Sequence, residues 1–510
     1  MTHGEMPPMV FGIETEIGIA RDDNHDLDVV AESIALVRSA AETGVKMRWD
    51  YGSEDPHADA RGFHVKELLQ DTDEAHYYAQ DAQRELSFAE IKSDLVLSNG
   101  ARFYNDHAHP EYCTPECSTL EEMTAHDRAG ELILIHCARQ LSKSRGSTVR
   151  LYKNNTDFRG HSYGCHENYL VSRKLPWERI SQGMQAFLVT RQIFAGAGKY
   201  AIEAEDKFLE PTFQIAQRSD FFSELQSVDT MQRRPLINTR DEPHANPERY
   251  RRFHVIIGDA NMSPFATRLK VGTTALVLEA LTKDVHFQTP QLSHPLKALK
   301  EISRDKEFRW QLGLAGKKHS TAINVQRTYL NAVRNICDLN KAEAQELVAD
   351  WETVLNDLET DHTRCRDRVD WVAKRLLLQE FQIAEKVDSE DPWLQSLDLE
   401  YHRLDLEEGL YFGLEKTGQM RLPAGLEKGE WAILNAPETT RALIRGKCVS
   451  KFGSKVTAAQ WDHVVLQTTR GELKISLLDL FEPDQIKTLR GKIDQAKTTD
   501  ELIPYGELGI

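Results

Sequence analysis

The stretch MVFGIETEIGIA, residues 9–20, decides how the chain begins to fold. Val10, Phe11, Ile13, Ile17 and Ile19 give it the apolar content of a buried strand, yet Glu14 and Glu16 stand two positions apart inside it. In an extended chain, residues i and i+2 point to the same face, so both carboxylates share one surface. Partly desolvated neighbours of like charge repel, and they need protons, basic partners or metal ions. An edge strand with both acids in water is the plain alternative, and the rest of the sequence has to choose.

Four other segments carry polar groups among strand-like or turn residues. In NGARFYNDHAHPEY, Tyr104 and Asp106 share a face and Glu111 follows a proline-containing bend. In SYGCHENYLV, His166 and Asn168 share a face; in RRFHVIIGDAN, His254 alternates with Val255; NTRDEPH sets Arg240 among acids. Singly, each has an ordinary reading as a hydrogen-bonded core histidine or a surface ion pair. Together on one sheet they are a donor set for divalent cations, with arginine forks for phosphate. Such a surface can hold a nucleoside triphosphate with magnesium and stabilise charge on a transferring group.

The usual phosphate loop is absent from the sequence. FAGAGKY (194–200) and LAGKKHS (314–320) lack its spacing, and FAGAGKY reads as a helix end stopped by glycine. DHAHPEYCTPEC offers His107, His109, Cys113 and Cys117, but the C-x3-C and H-x-H spacings do not match structural zinc arrays, and no second pair follows.

The chain has 510 residues, 40% hydrophobic, with 63 basic and 80 acidic side chains and a formal charge of −17. That length supports a large core and more than one unit. The acidity argues against general nucleic-acid binding, which rewards basic surfaces. No run of 18 apolar residues and no signal-like start occurs, and seven cysteines fit a reducing compartment, so the chain reads as soluble, cytoplasmic and not membrane-bound.

Helical patterning covers 28–43, 73–92, 119–144 (with Ser118 and Glu121 as a capping box), 176–196, 263–283 (Ser263 as N-cap, Pro264 first), 341–360 and 367–381. Strand-like pieces cover 9–19, 101–106, 165–171, 253–258, WDHVVLQ and LKISLL. LPAGLEKGEW (422–431) reads as a connector, which divides the chain into a large unit, 1–430, and a small one, 436–510, with helix–strand–strand–helix order. MRWDYGSEDPHADARGFH (47–64) is polar, acidic and aperiodic; it reads as a long functional loop.

GIETE, NGARFYND with HPEY, SYGCHENYL, INTRDEPHA and RRFHVIIGDANM, in that order, resemble the enzymes that attach or remove the prokaryotic ubiquitin-like protein Pup. The resemblance runs from about residue 9 to 500. It implies an α+β fold: a glutamine-synthetase-like large domain whose concave, mainly antiparallel sheet is backed by helices, plus a small C-terminal α/β domain. Two features point to the depupylase branch over the ligase branch: the insertion at about 44–72, with its WDY and DARGF, and the wording YNDHAHPEY.

The resemblance also implies roles. Asp106 matches the catalytic aspartate; Glu14, Glu16, Glu111, His166 and His254 match magnesium-site residues; Tyr104, Arg218 and Arg240 match the nucleotide-binding set. The implied cofactors are ATP (or ADP plus phosphate) and Mg2+. The implied partners are Pup, pupylated proteins and proteasome-associated machinery. The implied reaction is amide hydrolysis at the C-terminal side chain of Pup: deamidation of glutamine, or cleavage of the isopeptide to a substrate lysine. Pup is itself acidic, so a local basic groove is expected, with Arg233, Arg234 and Arg251 as candidates beside Arg249 and Arg252. A Pup ligase, a small-molecule carboxylate-amine ligase and a binding-only protein are the rival readings.

Overall fold

The computed structural model describes residues 9–23, 27–40, 44–46, 48–68, 85–158, 160–200, 213–230, 233–284, 286–389 and 391–509. Its organising element is a seven-stranded sheet in the order β7-β6-β1-β5-β4-β3-β2. Here β1 is Phe11–Glu16, β2 Gly44–Lys46, β3 Leu95–Leu97, β4 Arg102–Asp106, β5 His109–Cys113, β6 Cys165–Ser172 and β7 Tyr250–Val255. Every pairing is antiparallel.

The alternation in β1 sorts its two faces. Phe11 and Ile13 are 2% exposed, and with Tyr169, Val171, Phe253 and Val255 they pack against helices Trp177–Thr190 and Pro264–Lys283. Each such apolar side chain, fully buried, stabilises the fold by about 1.5–3 kcal/mol. Gly12, Glu14 and Glu16 point the other way. In the register, Glu14 lies opposite His166 on one side and Cys113 on the other; Glu16 lies opposite Glu111, Glu111 opposite Tyr104, and Asn168 opposite His254. The polar groups of five strands therefore share one face.

Sequence patterning located most elements. Ser263 caps Pro264–Lys283 as expected. Helix Leu120–Arg145 is capped by Thr119, not Ser118: the Thr119 hydroxyl accepts from the Glu122 N–H, and the Glu122 carboxylate accepts from Ser118, one position along from the expected box. The helix read at 73–92 falls largely on residues outside those described; of its described part, 85–87 are not helical and Phe88–Lys92 is a separate short helix capped at Ser87. LAGKKHS forms the tip of the hairpin Gln311–Leu314/Lys318–Thr321. The connector at 422–431 folds as two short helical turns, and Ala432 packs on Ala125 and Ala129 of the long helix.

Residues 442–508 form helix Ala442–Phe452, strands Val456–Gln460, His463–Thr468, Gly471–Ser476 and Glu507–Leu508, and helix Pro483–Gln495. The sequence indicated two of these strands. The sheet gains a fifth from far away: Arg48–Trp49 pairs in parallel with Val456–Gln460. The acidic segment 47–64 therefore begins in the C-terminal sheet and ends in a small hairpin, Ala58–Asp59/Phe63–His64. Among the described residues, no helix is long and apolar enough to cross a membrane.

Glu116 anchors helix Ala442–Phe452 to the main sheet. Its carboxylate accepts from Arg441 Nε at 2.8 Å, from Arg445 Nη1 at 3.2 Å and from Arg445 Nη2, while Arg445 also donates to the Gly100 carbonyl at 2.8 and 2.9 Å. Burial alone would push the Glu116 carboxyl up, but the two guanidinium groups bring it from 4.5 down to about 2. A carboxylate depressed in the folded state stabilises above its unfolded pKa, and that stability is lost as pH falls through the folded value. Linkage puts the contribution at about 3 kcal/mol. Glu116→Gln is expected to lower Tm at pH 7 and to flatten the fall in Tm between about pH 5 and pH 2, measured by calorimetry across pH.

Candidate active site

The polar face of the sheet floors a cavity of about 640 Å³. Glu16, Tyr104, Asp106 and His166 line its floor, and Arg218, Arg234 and Arg240 form part of its wall. Two groups of ligand atoms converge on the same face of the sheet: Glu14 with His166 and His254, and Glu16 with Asp106 and Glu111, each within 4.8 Å of one another. The first group is tied by Asn168 Nδ2 donating to Glu14 Oε1 at 2.8 Å and by His166 Nδ1 at 3.4 Å from Glu14 Oε2. The rings of His166 and His254 meet edge to face at 5.1 Å. In the second group Tyr104 donates to Glu111 Oε2 at 2.9 Å, and His109 Nδ1 lies 3.7 Å from Glu16 Oε2.

The electrostatics fit a cation site. Burial opposes ionisation of Glu14, but its hydrogen bond with His166 and the positive charge nearby hold it far below the usual carboxylate range. Burial also opposes ionisation of Asp106, and there Lys92 and His107 prevail and keep it ionised. Glu111 goes the other way: burial, and then the charges of Asp106, Glu14 and Glu16, push it well above its ordinary value. Burial and Arg252 keep His254 neutral, and among the described residues neither of its ring nitrogens has a hydrogen-bond partner. A neutral, unpartnered imidazole beside carboxylates that cannot all ionise without added positive charge is a donor set suited to divalent metal.

The arginines reach the cavity from other elements. Arg218 is 2% exposed; its Nε donates to Ser162 Oγ at 3.1 Å, and Nη1 donates to the carbonyls of Ile256 and Gly258. Asp259 accepts from the backbone N–H groups of Ala197, Gln217 and Arg218, which shapes the loop presenting that guanidinium. Arg240 donates to the Val228 carbonyl at 2.9 Å. Burial lowers the pKa of Arg218 and of Arg240, against the opposing charge of Glu16 and Asp259 on the first and of Glu242 and Asp106 on the second.

One expectation for a basic groove is corrected. Arg251 faces the helix layer, because Arg252 and His254 take the site face and strand parity sends residues 251 and 253 to the other. Arg251 donates to the Leu175 carbonyl at 2.9 Å and lies over Trp177. Arg233 is exposed, with a left-handed backbone (φ 46°), and does not line the cavity, whereas Arg234 does. Arg249 pairs with Asp479 at the surface, and Arg252 donates to Asn168 and Glu242 beside His254.

Sequence reasoning missed three contributors. Lys92 Nζ lies 2.5 Å from Asp106 Oδ1. Arg102 stacks on Tyr104 (3.8 Å) and on Trp49 (4.0 Å). Tyr51, from the acidic segment, accepts from Arg102 at 2.7 Å and donates to Asp94 at 3.0 Å. The same segment docks on the strand leading to Arg240: Asp59 accepts from Thr239 Oγ1 at 2.7 Å, and the Ala58 carbonyl accepts from the Asp241 N–H at 2.9 Å. None of these long-range contacts has a local signal in the sequence.

A second, smaller pocket of about 90 Å³ adjoins Glu14 between the main sheet and the C-terminal unit, walled by Trp461, Phe481, His244 and Leu170.

A family model described as "Pup-ligase protein" matches residues 9–465, and the chain belongs to that family. The depupylase of Acidothermus cellulolyticus is 39% identical over 97% of this chain and 98% of its own length. The Pup–protein ligase of Gordonia bronchialis is 40% identical over 73% of this chain and 84% of its own length. Among solved structures, the ligase PafA in complex with Pup superposes with a TM-score of 0.78 at 28% identity, covering 97% of this chain and 94% of that one. PafA with ADP gives 0.72 at 31%, covering 85% and 97%. The α+β fold expected from the sequence is thus the fold of these enzymes.

Gly164 packs against the metal-ligand candidates: a Cβ there would lie 2.5 Å from His166 Nε2 and 2.9 Å from Glu16 Oε1. Gly164→Ala is expected to weaken binding of Mn2+, measured calorimetrically, by about 10–100-fold through displacement of those two side chains.

Proposed function

We propose that this chain is an ATP- and Mg2+-dependent amidase of the Pup system, which deamidates the C-terminal glutamine of Pup and hydrolyses the isopeptide bond between Pup and a substrate lysine. The observation that carries the reading is the acidic segment built into the cavity wall. Tyr51, Glu54 and Pro56 line the same cavity as Asp106, and Asp59 bridges to Arg240. The match to a named depupylase over nearly its whole length, against the shorter match to a named ligase at similar identity, supports the same branch.

Glu14, His166 and His254 on one side, and Glu16 and Glu111 on the other, would hold Mg2+. Arg218 and Arg240 would face the nucleotide phosphates, and the pocket walled by Trp461 and Phe481 would take the base. That a structural relative was solved with ADP supports a nucleotide here, and the complex of PafA with Pup supports Pup as partner. When bound, Mg2+ and phosphate supply the charge that polarises the scissile carbonyl. Asp106, kept ionised by Lys92 and His107, presents a carboxylate to the amide carbon or to its attacking water. The C–N bond breaks, oxygen from water remains on the glutamate side chain, and ammonia or the lysine amine leaves. Arg234, in the cavity wall, supplies positive charge for acidic Pup, whereas Arg251 is dropped from that role.

The test is mass spectrometry of Pup ending in glutamine, and of a pupylated protein, incubated with the chain, ATP and Mg2+. Conversion of the terminal glutamine to glutamate and release of free substrate are expected, with Asp106→Asn slowing both by about 10²–10⁴-fold. Attachment of Pup to lysines with accumulation of ADP would instead assign the chain to the ligase branch.

A further inference from the structure

Asp106 stands at the end of β4, where a left-handed residue, His107 (φ 54°), turns the chain toward β5. The outer torsion of an aspartate is broad and roughly two-fold, so a carboxylate without fixed partners sweeps through a range of orientations. Reacting groups need their geometry held within about 0.5 Å by surrounding contacts. His107 Nδ1 stands 3.3 Å from Oδ2, a loose contact. The close one is made by Lys92, whose ammonium sits 2.5 Å from Oδ1.

Lys92 is itself held. Both it and Asp106 are largely sheltered from solvent, with side chains 16% and 22% exposed. The ammonium lies 5.5 Å from the centroid of Tyr104 and 6.0 Å from that of Phe88. Lys92 ends the short helix Phe88–Lys92, whose start is fixed by a capping box between Ser87 and Glu90. Its end is pinned from two directions: Asn105, next to Asp106, donates to the Ile91 carbonyl at 3.1 Å, and Arg38 donates to the Glu90 carbonyl at 3.1 Å and to Ser93 Oγ at 3.2 Å. Arg218, Arg234 and Arg240 come from segments beyond residue 217, and Arg102, on β4 with Asp106, is engaged by Asp94 at 2.6 and 2.9 Å. Lys92 is thus a cation delivered to Asp106 by the stretch that follows the acidic segment.

We propose that Lys92 is the positioning residue for Asp106: its ammonium clamps Oδ1 and fixes the plane of the carboxylate. The proposal rests on Asp106 as the reacting carboxylate of the amidase reading. A close charge-assisted contact at Oδ1 constrains the rotation that the longer His107 contact at Oδ2 leaves open. The role concerns orientation, so substrate and nucleotide binding are not expected to depend on it.

The experiment is a steady-state series on deamidation of glutamine-terminated Pup with saturating ATP and Mg2+. Lys92→Met is expected to lower kcat by about 10–100-fold with KM for Pup unchanged. Lys92→Arg, which keeps a cation of similar reach, is expected to recover a good part of that loss. Adding Lys92→Met to Asp106→Asn is expected to cost nothing further. A kcat for Lys92→Met equal to that of the unaltered enzyme, or equal losses in the Met and Arg variants with a raised KM, would overturn the proposal and leave the amidase reading intact. Thermal unfolding of the unaltered protein, Lys92→Met, Asp106→Asn and the double variant gives a readout independent of turnover: the Tm decrement from Lys92→Met is expected to shrink in the Asp106→Asn background. Equal decrements in both backgrounds would overturn the clamp even in a protein without amidase activity. Inactivity of the unaltered enzyme with the thermal coupling intact would remove the amidase reading and keep the clamp.

Discussion

The rest of this structure depends on like-charge repulsion under a sheet. Glu14, Glu16, Asp106 and Glu111 come from three adjacent strands and share one face, closer together than four ionised carboxylates tolerate in a partly dry place. Their environments resolve the conflict unequally: Glu14 and Asp106 have cationic or hydrogen-bonding neighbours and stay charged, while Glu111 is driven toward its protonated form. Such a cluster costs folding energy. A divalent cation bound there would relieve the repulsion and let Glu111 ionise.

The opposite face of the same strands makes the cluster affordable. Phe11, Ile13, Tyr169, Phe253 and Val255 are locked into the main core by helices Trp177–Thr190 and Pro264–Lys283. Glu167 on that side is paired: it meets Arg191 at 2.5 and 2.9 Å and accepts from Tyr169 at 2.6 Å. A tightly packed back layer fixes the spacing of the strands, and strand spacing sets the distances between the carboxylates on the front.

The site is completed by pieces from both ends of the chain. Segment 48–64 starts as a strand of the C-terminal sheet, passes its Tyr51 to Arg102, and docks Asp59 beside Arg240. Trp49 stands edge-on to Trp461 at 5.4 Å and under Arg102, which in turn stacks on Tyr104. Tyr104 hydrogen-bonds Glu111. The C-terminal unit, the acidic segment and the carboxylate cluster are therefore in continuous contact, and Arg441 and Arg445 fasten that unit to Glu116 beneath.

What the sequence by itself determined follows from local rules. A period of two assigned Glu14 and Glu16 to one face, and likewise Tyr104 with Asp106 and His166 with Asn168; Ser263 and Pro264 announced a helix; the order of five motifs carried the family. These are properties of neighbouring residues, and neighbours are what a sequence displays. The tertiary structure decided the rest. Lys92 and Asp106 are 14 positions apart with a turn between them, and Tyr51 meets an arginine 51 positions away. Arg251, read as part of a basic groove, was turned into the helix layer by the parity that sends His254 to the site, and Arg233 was left outside the cavity. The fifth strand of the C-terminal sheet comes from residues 48–49, some 400 positions before its partner. Pairing between distant segments depends on which surfaces remain unfilled once the core has formed, and that is a property of the folded whole.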